Sequence, residues 1–163
     1  MDLLQEVEVL RRVPMFSRLD PPRLKLLAFT SEQIVFEDGE ELFHVGDPAD
    51  AAYVILDGEA DVMADTASGE IVAVTLGKNQ LFGELAVLSK AQRSATMRAK
   101  GKLQTLRIAD EAFLKLVTEN PEVALGVMRQ LSEKLAKSVR QFENLHSRLQ
   151  QYERTSGEAS AQS

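Results

Sequence analysis

The residues best suited to chemistry lie in the run LFGELAVLSKAQRSAT, residues 81–96, where Gly83 stands beside Glu84 and Arg93 follows nine residues later. A glycine lets the backbone approach a ligand without a Cβ in the way. If a helical turn begins near Leu85, its first N–H groups have no partner within the helix and carry partial positive charge. Such a helix start binds anions, and a guanidinium matches phosphate oxygens. The run therefore predicts an anion site.

Glu84 would repel a phosphate, so a second part of the ligand must explain its presence. A carboxylate accepts a hydrogen bond from a sugar hydroxyl, while Arg93 meets the phosphate charge and the Ser94 hydroxyl donates beside it. A ligand with both a ribose hydroxyl and a phosphate is a nucleotide monophosphate. The alternative is a surface ion pair between Glu84 and Arg93, worth at most about 1 kcal/mol. The neighbouring Gly83 and Ser94 favour the site.

Short β-rich segments surround this run and must position it. Between them lie turn signals such as Asp-Gly, Gly-Asp-Pro and Ser-Gly. The segments are residues 33–37, 41–45, 51–56, 59–64, 70–76, 94–99 and 102–108. Seven or eight short strands at close spacing predict a double-stranded β-helix, or jelly roll, over residues 32–109. We therefore expect a mainly β member of the α+β class.

Helical patterns frame the predicted roll. Before it, residues 3–10 and a helix opening at Pro21 form an N-terminal helical segment, 1–31. After it, Asp110 is expected to cap a short hinge helix and Pro121 to open a long one. The two helices fill residues 110–154.

The long helix predicts a coiled coil, because apolar side chains recur at the a and d positions over four heptads. The a positions hold Met128, Leu135, Phe142 and Leu149, and the d positions hold Leu131, Ser138, Leu145 and Tyr152. A compact roll cannot cover a helix of about 50 Å. We therefore expect a homodimer through residues 125–152. The polar residues 155–163 predict a disordered tail.

Composition excludes several classes of function. The chain has no cysteine, which excludes disulfides, thiol catalysis and zinc–thiolate sites. Its net charge of −6 argues against a DNA partner, whose binding depends on Lys and Arg contacts to phosphate. No apolar run is long enough to span a membrane, and the N-terminus carries acids where a signal peptide carries bases. We expect a cytoplasmic protein that binds neither DNA nor membranes.

A cupin-like metal enzyme is the rival from another class, since cupins share the double-sheet roll. Such an enzyme needs two or three histidines and a carboxylate on neighbouring strands. The chain has only His44 in a predicted strand and His146 far away on the long helix. No Ser-His-Asp arrangement is present either. We expect no catalysis, no metal and no cofactor.

The run FGELAVLSKAQRSATMRA resembles the phosphate-binding cassette of cyclic nucleotide-binding domains, the family that includes catabolite activator proteins and kinase regulatory subunits. The resemblance covers roughly residues 10–140, with a cassette at 82–96. It implies that Glu84 binds the ribose 2′-hydroxyl and that Arg93 binds the cyclic phosphate. It also implies that Phe82, Gly83, Leu85, Ala86, Ser94 and Ala95 line the site through backbone or hydroxyl contacts.

The resemblance implies further contacts with the base. Val62, Val74 and Leu76 would form a wall on the roll side, although each also fits an ordinary core. Leu135 would cover the purine, and the Ser138 hydroxyl would reach its edge. The alternative for Ser138 is a small residue tolerated where two helices cross.

By this resemblance the chain is a non-catalytic sensor that couples a cyclic nucleotide to movement of its long helix and acts on an unknown protein effector. Cyclic AMP is the expected ligand, because it is the more frequent one in the family. Cyclic GMP stays open, because Ser94 after the arginine occurs with either base. The family's DNA-reading helix-turn-helix is not expected in the short tail. A dimerisation module without a ligand is the remaining alternative.

Overall fold

The computed structural model describes residues 1–161 of the 163-residue chain. It divides into two compact units, Met1–Ala124 and the segment from Leu125 onward. The helices are α1 (Leu3–Arg12), a 3₁₀ turn (Pro14–Phe16), α2 (Pro21–Thr30), α3 (Glu84–Ser89), α4 (Asp110–Glu119) and α5 (Pro121–Ala161). The strands are β1 (Glu32–Phe36), β2 (Glu41–Phe43), β3 (Ala51–Thr66), β4 (Gly69–Leu76), β5 (Leu81–Phe82) and β6 (Thr96–Ala109).

Each of the two N-terminal α-helices begins directly after an aspartate whose side chain caps it. The Asp2 side chain accepts from the Gln5 amide, and the Gln5 side chain accepts from the Asp2 amide in a capping box. Asp20 accepts from the Arg23 amide at the start of α2, whose first residue is Pro21. Both helices bury one face, led by Leu10, Leu24 and Leu27.

The strands form one antiparallel sheet in the order β1-β6-β3-β4, with β2 on β6 and β5 on β3. In the structure, each of two pairs of predicted short strands forms one long strand. The expected number of seven or eight strands is therefore wrong. The segments 51–56 and 59–64 join as β3, and the segments 94–99 and 102–108 join within β6. The register shifts around Asp57 absorb the turn-like residues, so pairing with the neighbouring strand continues through them.

The buried core lies inside the folded-over sheet. It consists of Ala51, Tyr53, Ile55, Ala60, Phe82, Met97, Ala99 and Leu103, all at most 5% exposed. The rings of Phe43, Tyr53 and Phe82 pack together, and the last two stack with centroids 5.4 Å apart. This roll, with helices before it and a long helix after it, confirms the predicted fold class.

Asp110 is the first residue of α4 rather than its cap, which corrects the sequence-based expectation. Ala109 precedes the helix without a side-chain cap.

The junction between α4 and α5 is held by Asn120. Asn120 is 6% exposed, and its Nδ2 donates to the Leu116 carbonyl at 2.8 Å. Its Oδ1 accepts from Nη1 of Arg23 on α2. The end of α4 is therefore tied to an N-terminal helix.

Helix α5 runs past Arg154, where the sequence analysis ended it, to Ala161. The predicted disordered tail is thus corrected for residues 155–161, and residues 162 and 163 lie outside the described part. The extension has a physical reason: each added residue gains a hydrogen bond without a new nucleation step. The apolar side chains at the a and d positions from Leu131 to Tyr152 are 42–71% exposed.

Candidate functional site

The cassette begins with a left-handed residue between a strand and a short helix. β5 ends at Phe82, and Gly83 follows with φ 78° and ψ 0° as the residue before α3. Glycine adopts this conformation without the penalty that a Cβ imposes. α3 then starts at Glu84, one residue before the predicted start near Leu85. The first amides of α3 have no partner within the helix, and the anion site predicted at them stays a prediction.

The chain returns from α3 to the roll through main-chain hydrogen bonds. Lys90 ends α3 in a left-handed conformation. Two residues further on, Gln92 forms an isolated bridge with Pro48. The Arg93 amide donates to the Asp47 carbonyl, and its carbonyl accepts from the Gly46 amide, each at 2.8 Å. The backbone of Arg93 is therefore fixed to the turn between β2 and β3.

The Arg93 side chain is buried at 3% exposure, which is rare for an arginine. Its Nη1 donates to the Gly83 carbonyl at 2.8 Å, and its Nη2 donates to the Ala51 carbonyl at 2.5 Å. The guanidinium carbon lies 4.0 Å from the centre of the Phe43 ring. Burial lowers the pKa of Arg93 from its ordinary value, with the guanidinium still cationic at neutral pH.

The third nitrogen of this guanidinium differs from the other two. Arg93 Nε is buried and has no hydrogen-bond partner among the described residues. A buried donor without an acceptor lowers stability, so such a group points to an acceptor from outside the chain.

Gly83 is needed for the position of Arg93 as well as for its own backbone. A Cβ on Gly83 would lie 2.7 Å from Arg93 Nη1, closer than side-chain atoms normally come. The same glycine supplies the carbonyl to which that nitrogen donates. The two residues that the sequence analysis joined by chemistry are thus in direct contact.

Glu84 is also buried, at 2% exposure. Because Glu84 and Arg93 are both removed from solvent, the alternative of a surface ion pair is wrong. Glu84 is the first residue of α3, where the helix dipole stabilises a carboxylate.

Two aromatic residues, Phe43 and Tyr53, pack on Phe82 and were not selected by the sequence analysis. Tyr53 pairs with Phe82 across β3 and β5, and burial raises the pKa of its phenol above the ordinary value of 10.0. Phe43 packs on both rings and on Arg93. The sequence signal for Phe43 and Tyr53 was an aromatic residue in each of two neighbouring predicted β segments, 41–45 and 51–56. The carbonyl of Ala51 had no signal, because every residue has a carbonyl.

The remaining predicted residues of the cassette lie around Arg93. Leu85 and Ala86 on α3 are half-buried, as is Ala95, while Ser94 is exposed. Thr96, which opens β6, is buried, and its hydroxyl accepts from the Val45 amide at 3.0 Å. Arg93 is thus buried, whereas the next residue, Ser94, is exposed to solvent.

The predicted wall residues divide into two kinds. Val62 and Leu76 pack against the buried core, in line with their alternative interpretation as core residues. Val74 pairs with Val62 across β3 and β4 and is 48% exposed. Leu135 and Ser138 lie on α5 in the second unit, and their contacts with a ligand stay predictions.

The described residues contain no group of three His, Asp or Glu side chains that could hold a metal ion. His44 follows β2, and its Nδ1 lies 3.1 Å from Glu41 Oε2 and 3.3 Å from the Thr96 hydroxyl. Within residues 1–161, no helix is long and apolar enough to cross a bilayer.

Comparison with protein families gives a match over residues 33–120 to the family described as Cyclic nucleotide-binding domain. A cAMP-dependent protein kinase regulatory subunit of Blastocladiella emersonii is 37% identical over 109 residues, which cover 66% of this chain and 27% of that protein. The chain spans about a quarter of the length of such curated relatives.

Two solved structures share the fold. The catabolite activator protein of Thermus thermophilus is 26% identical with a TM-score of 0.74, over 81% of this chain and 62% of that one. The regulatory domain of Toxoplasma gondii PKA, solved with cAMP, is 25% identical with a TM-score of 0.64, over 68% of this chain and 42% of that one.

Proposed function

Because the chain belongs to the cyclic nucleotide-binding domain family, we propose that its cassette binds a cyclic purine mononucleotide and that the protein is a non-catalytic sensor of that ligand. The cassette is the segment from Phe82 to Thr96. Its buried arginine, its helix start and its buried acid supply the three interactions that such a ligand needs.

The single observation that carries the proposal is the Nε–H of Arg93, buried and without a partner among the described residues. Its neighbours Nη1 and Nη2 are occupied by the carbonyls of Gly83 and Ala51, which fix the plane of the guanidinium. A phosphate oxygen near Nε and the first amides of α3 would accept from both. An anion at this place satisfies the unpaired donor and neutralises the buried charge.

The acid beside this anion site favours a sugar phosphate over a free phosphate. Glu84 starts α3 and is 2% exposed, so its carboxylate lies within the cassette rather than on the surface. A ribose hydroxyl would donate to it, and the exposed Ser94 hydroxyl would contact a phosphate oxygen. Val62, Val74, Leu76, Leu135 and Ser138 remain the candidates for contact with the base.

Cyclic AMP is the proposed ligand, with cyclic GMP as the alternative. The kinase regulatory subunit relatives are named for cAMP dependence, and the Toxoplasma domain was solved with cAMP. Ser94 is compatible with either base.

A thermal-shift screen with cyclic AMP, cyclic GMP, linear AMP and cyclic di-GMP tests the class of ligand. Stabilisation by RT ln(1 + [L]/Kd) is expected with one cyclic mononucleotide and not with linear AMP. Equal stabilisation by linear AMP, or none by any of the four, would refute the proposal.

Titration calorimetry of two variants tests the residues. Arg93→Ala is expected to remove most of the binding, and Glu84→Gln to weaken it by about 1.5–3 kcal/mol through loss of a charged acceptor. Arg98→Ala is the matched control, because Arg98 follows the segment from Phe82 to Thr96 and its guanidinium pairs with Glu41 and Glu70. Circular dichroism of each variant checks that it is folded. Wild-type affinity in both cassette variants would contradict the assignment.

We propose further that the ligand acts through α5 in a homodimer formed by residues 125–152. A ligand shifts a helix only by its different affinity for the two arrangements, so the cassette and the helix must be coupled. The exposed apolar side chains of α5 would meet their copies in a second chain. The downstream partner would be a protein effector.

A further inference from the structure

A second arginine, Arg107 on β6, lies near Arg93 and has no part in the proposed contacts with the ligand. Its Nη2 lies 3.1 Å from Oδ2 of Asp50, with which it forms an ion pair. Asp50 directly precedes β3, and Arg107 stands opposite Tyr53 in the pairing of β3 with β6, which brings the two together. The Arg107 side chain is 25% exposed and that of Asp50 67%, so the acid has room to turn.

Asp50 lies within electrostatic reach of both arginines. It is followed in the chain by Ala51, whose carbonyl accepts from Nη2 of Arg93 at 2.5 Å. Burial lowers the pKa of Arg93, the negative charge of Asp50 opposes that effect, and the like charge of Arg107 adds to it. One carboxylate is therefore close to two cations, and it is bound to Arg107.

Arg93 itself has no carboxylate partner among the described residues. Its guanidinium contacts the carbonyls of Gly83 and Ala51 and the ring of Phe43, and its Nε has no partner among them. A carboxylate bound to a buried guanidinium neutralises it and occupies donors that a phosphate needs. The charge of Arg93 thus stays available as long as Asp50 is held elsewhere.

We propose that Arg107 is a positioning residue for the anion site, because by binding Asp50 it keeps that carboxylate away from Arg93. The inference rests on the proposed function and adds a residue to it. Arg107 acts through Asp50 rather than through contact with the ligand. A neutral side chain at position 107 would release the Asp50 carboxylate to Arg93, where it would compete with the phosphate.

The rival explanation is that Arg107 acts through its own charge. A cation near the site attracts an anion whether Asp50 is charged or neutral. A double-mutant cycle separates the two explanations. An effect that passes through Asp50 disappears when Asp50 is made neutral, whereas a direct effect of the Arg107 charge remains.

The test is titration calorimetry of the full chain at low ionic strength with cyclic AMP, or with cyclic GMP if the thermal-shift screen selects it. Arg107→Gln is expected to weaken binding about fivefold, and Arg107→Lys to keep most of the affinity because the cation remains. Asp50→Asn is expected to bind at least as tightly as wild type. Adding Arg107→Gln to Asp50→Asn is expected to change the Kd by less than about twofold. Arg98→Gln, which removes another paired arginine of β6, is the matched control and should leave the Kd unchanged.

Urea unfolding of the same variants separates positioning from a purely structural role. A structural role of Arg107 would lower the free energy of unfolding and the affinity together, and neither would be restored by Asp50→Asn. The positioning role predicts that the affinity lost in Arg107→Gln returns in the double variant.

Wild-type affinity in Arg107→Gln, or an equal loss in the presence and absence of Asp50→Asn, would overturn the inference. In either case the proposed function stands if wild type binds and Arg93→Ala does not. If wild type binds neither cyclic nucleotide, the proposed function fails and this inference fails with it.

Discussion

Arg93 and Gly83 depend on each other. The guanidinium is fixed by the Gly83 and Ala51 carbonyls and by the Phe43 ring, and the glycine leaves room for Nη1. The sequence identified both residues from their types and spacing. It could not identify Ala51, because a carbonyl group is common to all residues and only the fold selects which one faces Arg93.

Gly83→Ala is expected to lower both stability and affinity. The positive φ adds strain of about 1–2 kcal/mol, and the new Cβ displaces Arg93 Nη1. Gly69→Ala is the control, since Gly69 also has positive φ but no atom within 4 Å of its added Cβ. Urea unfolding and calorimetry with cyclic AMP should show a larger loss of stability for Gly83→Ala, and a loss of affinity for it alone. Equal effects of the two changes would contradict the contact.

The buried Tyr53 phenol is expected to make the stability of the protein depend on pH in the alkaline range. Burial raises the pKa of its phenol above 10.0 in the folded state. The folded state therefore retains the proton longer than the unfolded state, so this contribution is complete below pH 10 and is lost as the pH rises through the folded pKa.

Urea unfolding between about pH 9 and 11 should show a falling free energy of unfolding, and Tyr53→Phe should reduce that slope. Tyr152→Phe, at an exposed position on α5, is the control and should leave it unchanged. An identical slope in wild type and Tyr53→Phe would be the adverse result.

Among the elements, β3 and β6 best show where local patterns fail. Gly58 marked a turn in the sequence, yet β3 passes through it with φ 92° and continues to pair with β6. Residue types indicate that the chain bends. Pairing with the neighbouring strand decides whether the bend becomes a turn between two strands or a bulge within one strand.

Gly58→Ala is expected to destabilise the roll by more than the strain of a positive φ. A Cβ there would overlap the Lys102 carbonyl oxygen on the neighbouring strand. Gly101→Ala has positive φ and no atom near its added Cβ, so its loss should stay near about 1–2 kcal/mol. Thermal unfolding of the pair measures the difference. A smaller loss for Gly58→Ala than for Gly101→Ala would contradict the overlap.

At the scale of the whole molecule, the proposed dimer depends on α5. Its a and d side chains include Phe142 and Leu149 at 70% and 60% exposure. Exposed apolar side chains in register over several heptads are the pattern that a second helix covers.

Phe142→Glu is expected to convert a dimer to a monomer, because it places a charge in the apolar seam. Multi-angle light scattering should give twice the chain mass of 18.0 kDa for wild type and the single-chain mass for the variant. Arg140→Glu, an exposed charge change at an f position, should leave the dimer intact. A wild-type mass of 18.0 kDa at high concentration, with or without ligand, would refute the dimer.

The sequence by itself determined the class of fold and the succession of N-terminal helices, β-roll and long helix, and it selected Gly83, Glu84 and Arg93 as residues of one candidate site. Local periodicity, caps and motif spacing carry that information, because they act between residues close in the chain. Only the tertiary structure decided that β3 and β6 run unbroken, that Arg93 is buried between two carbonyls and an aromatic ring, and that Asp50 pairs with Arg107. Those features depend on which distant residues meet, and no local pattern records that choice.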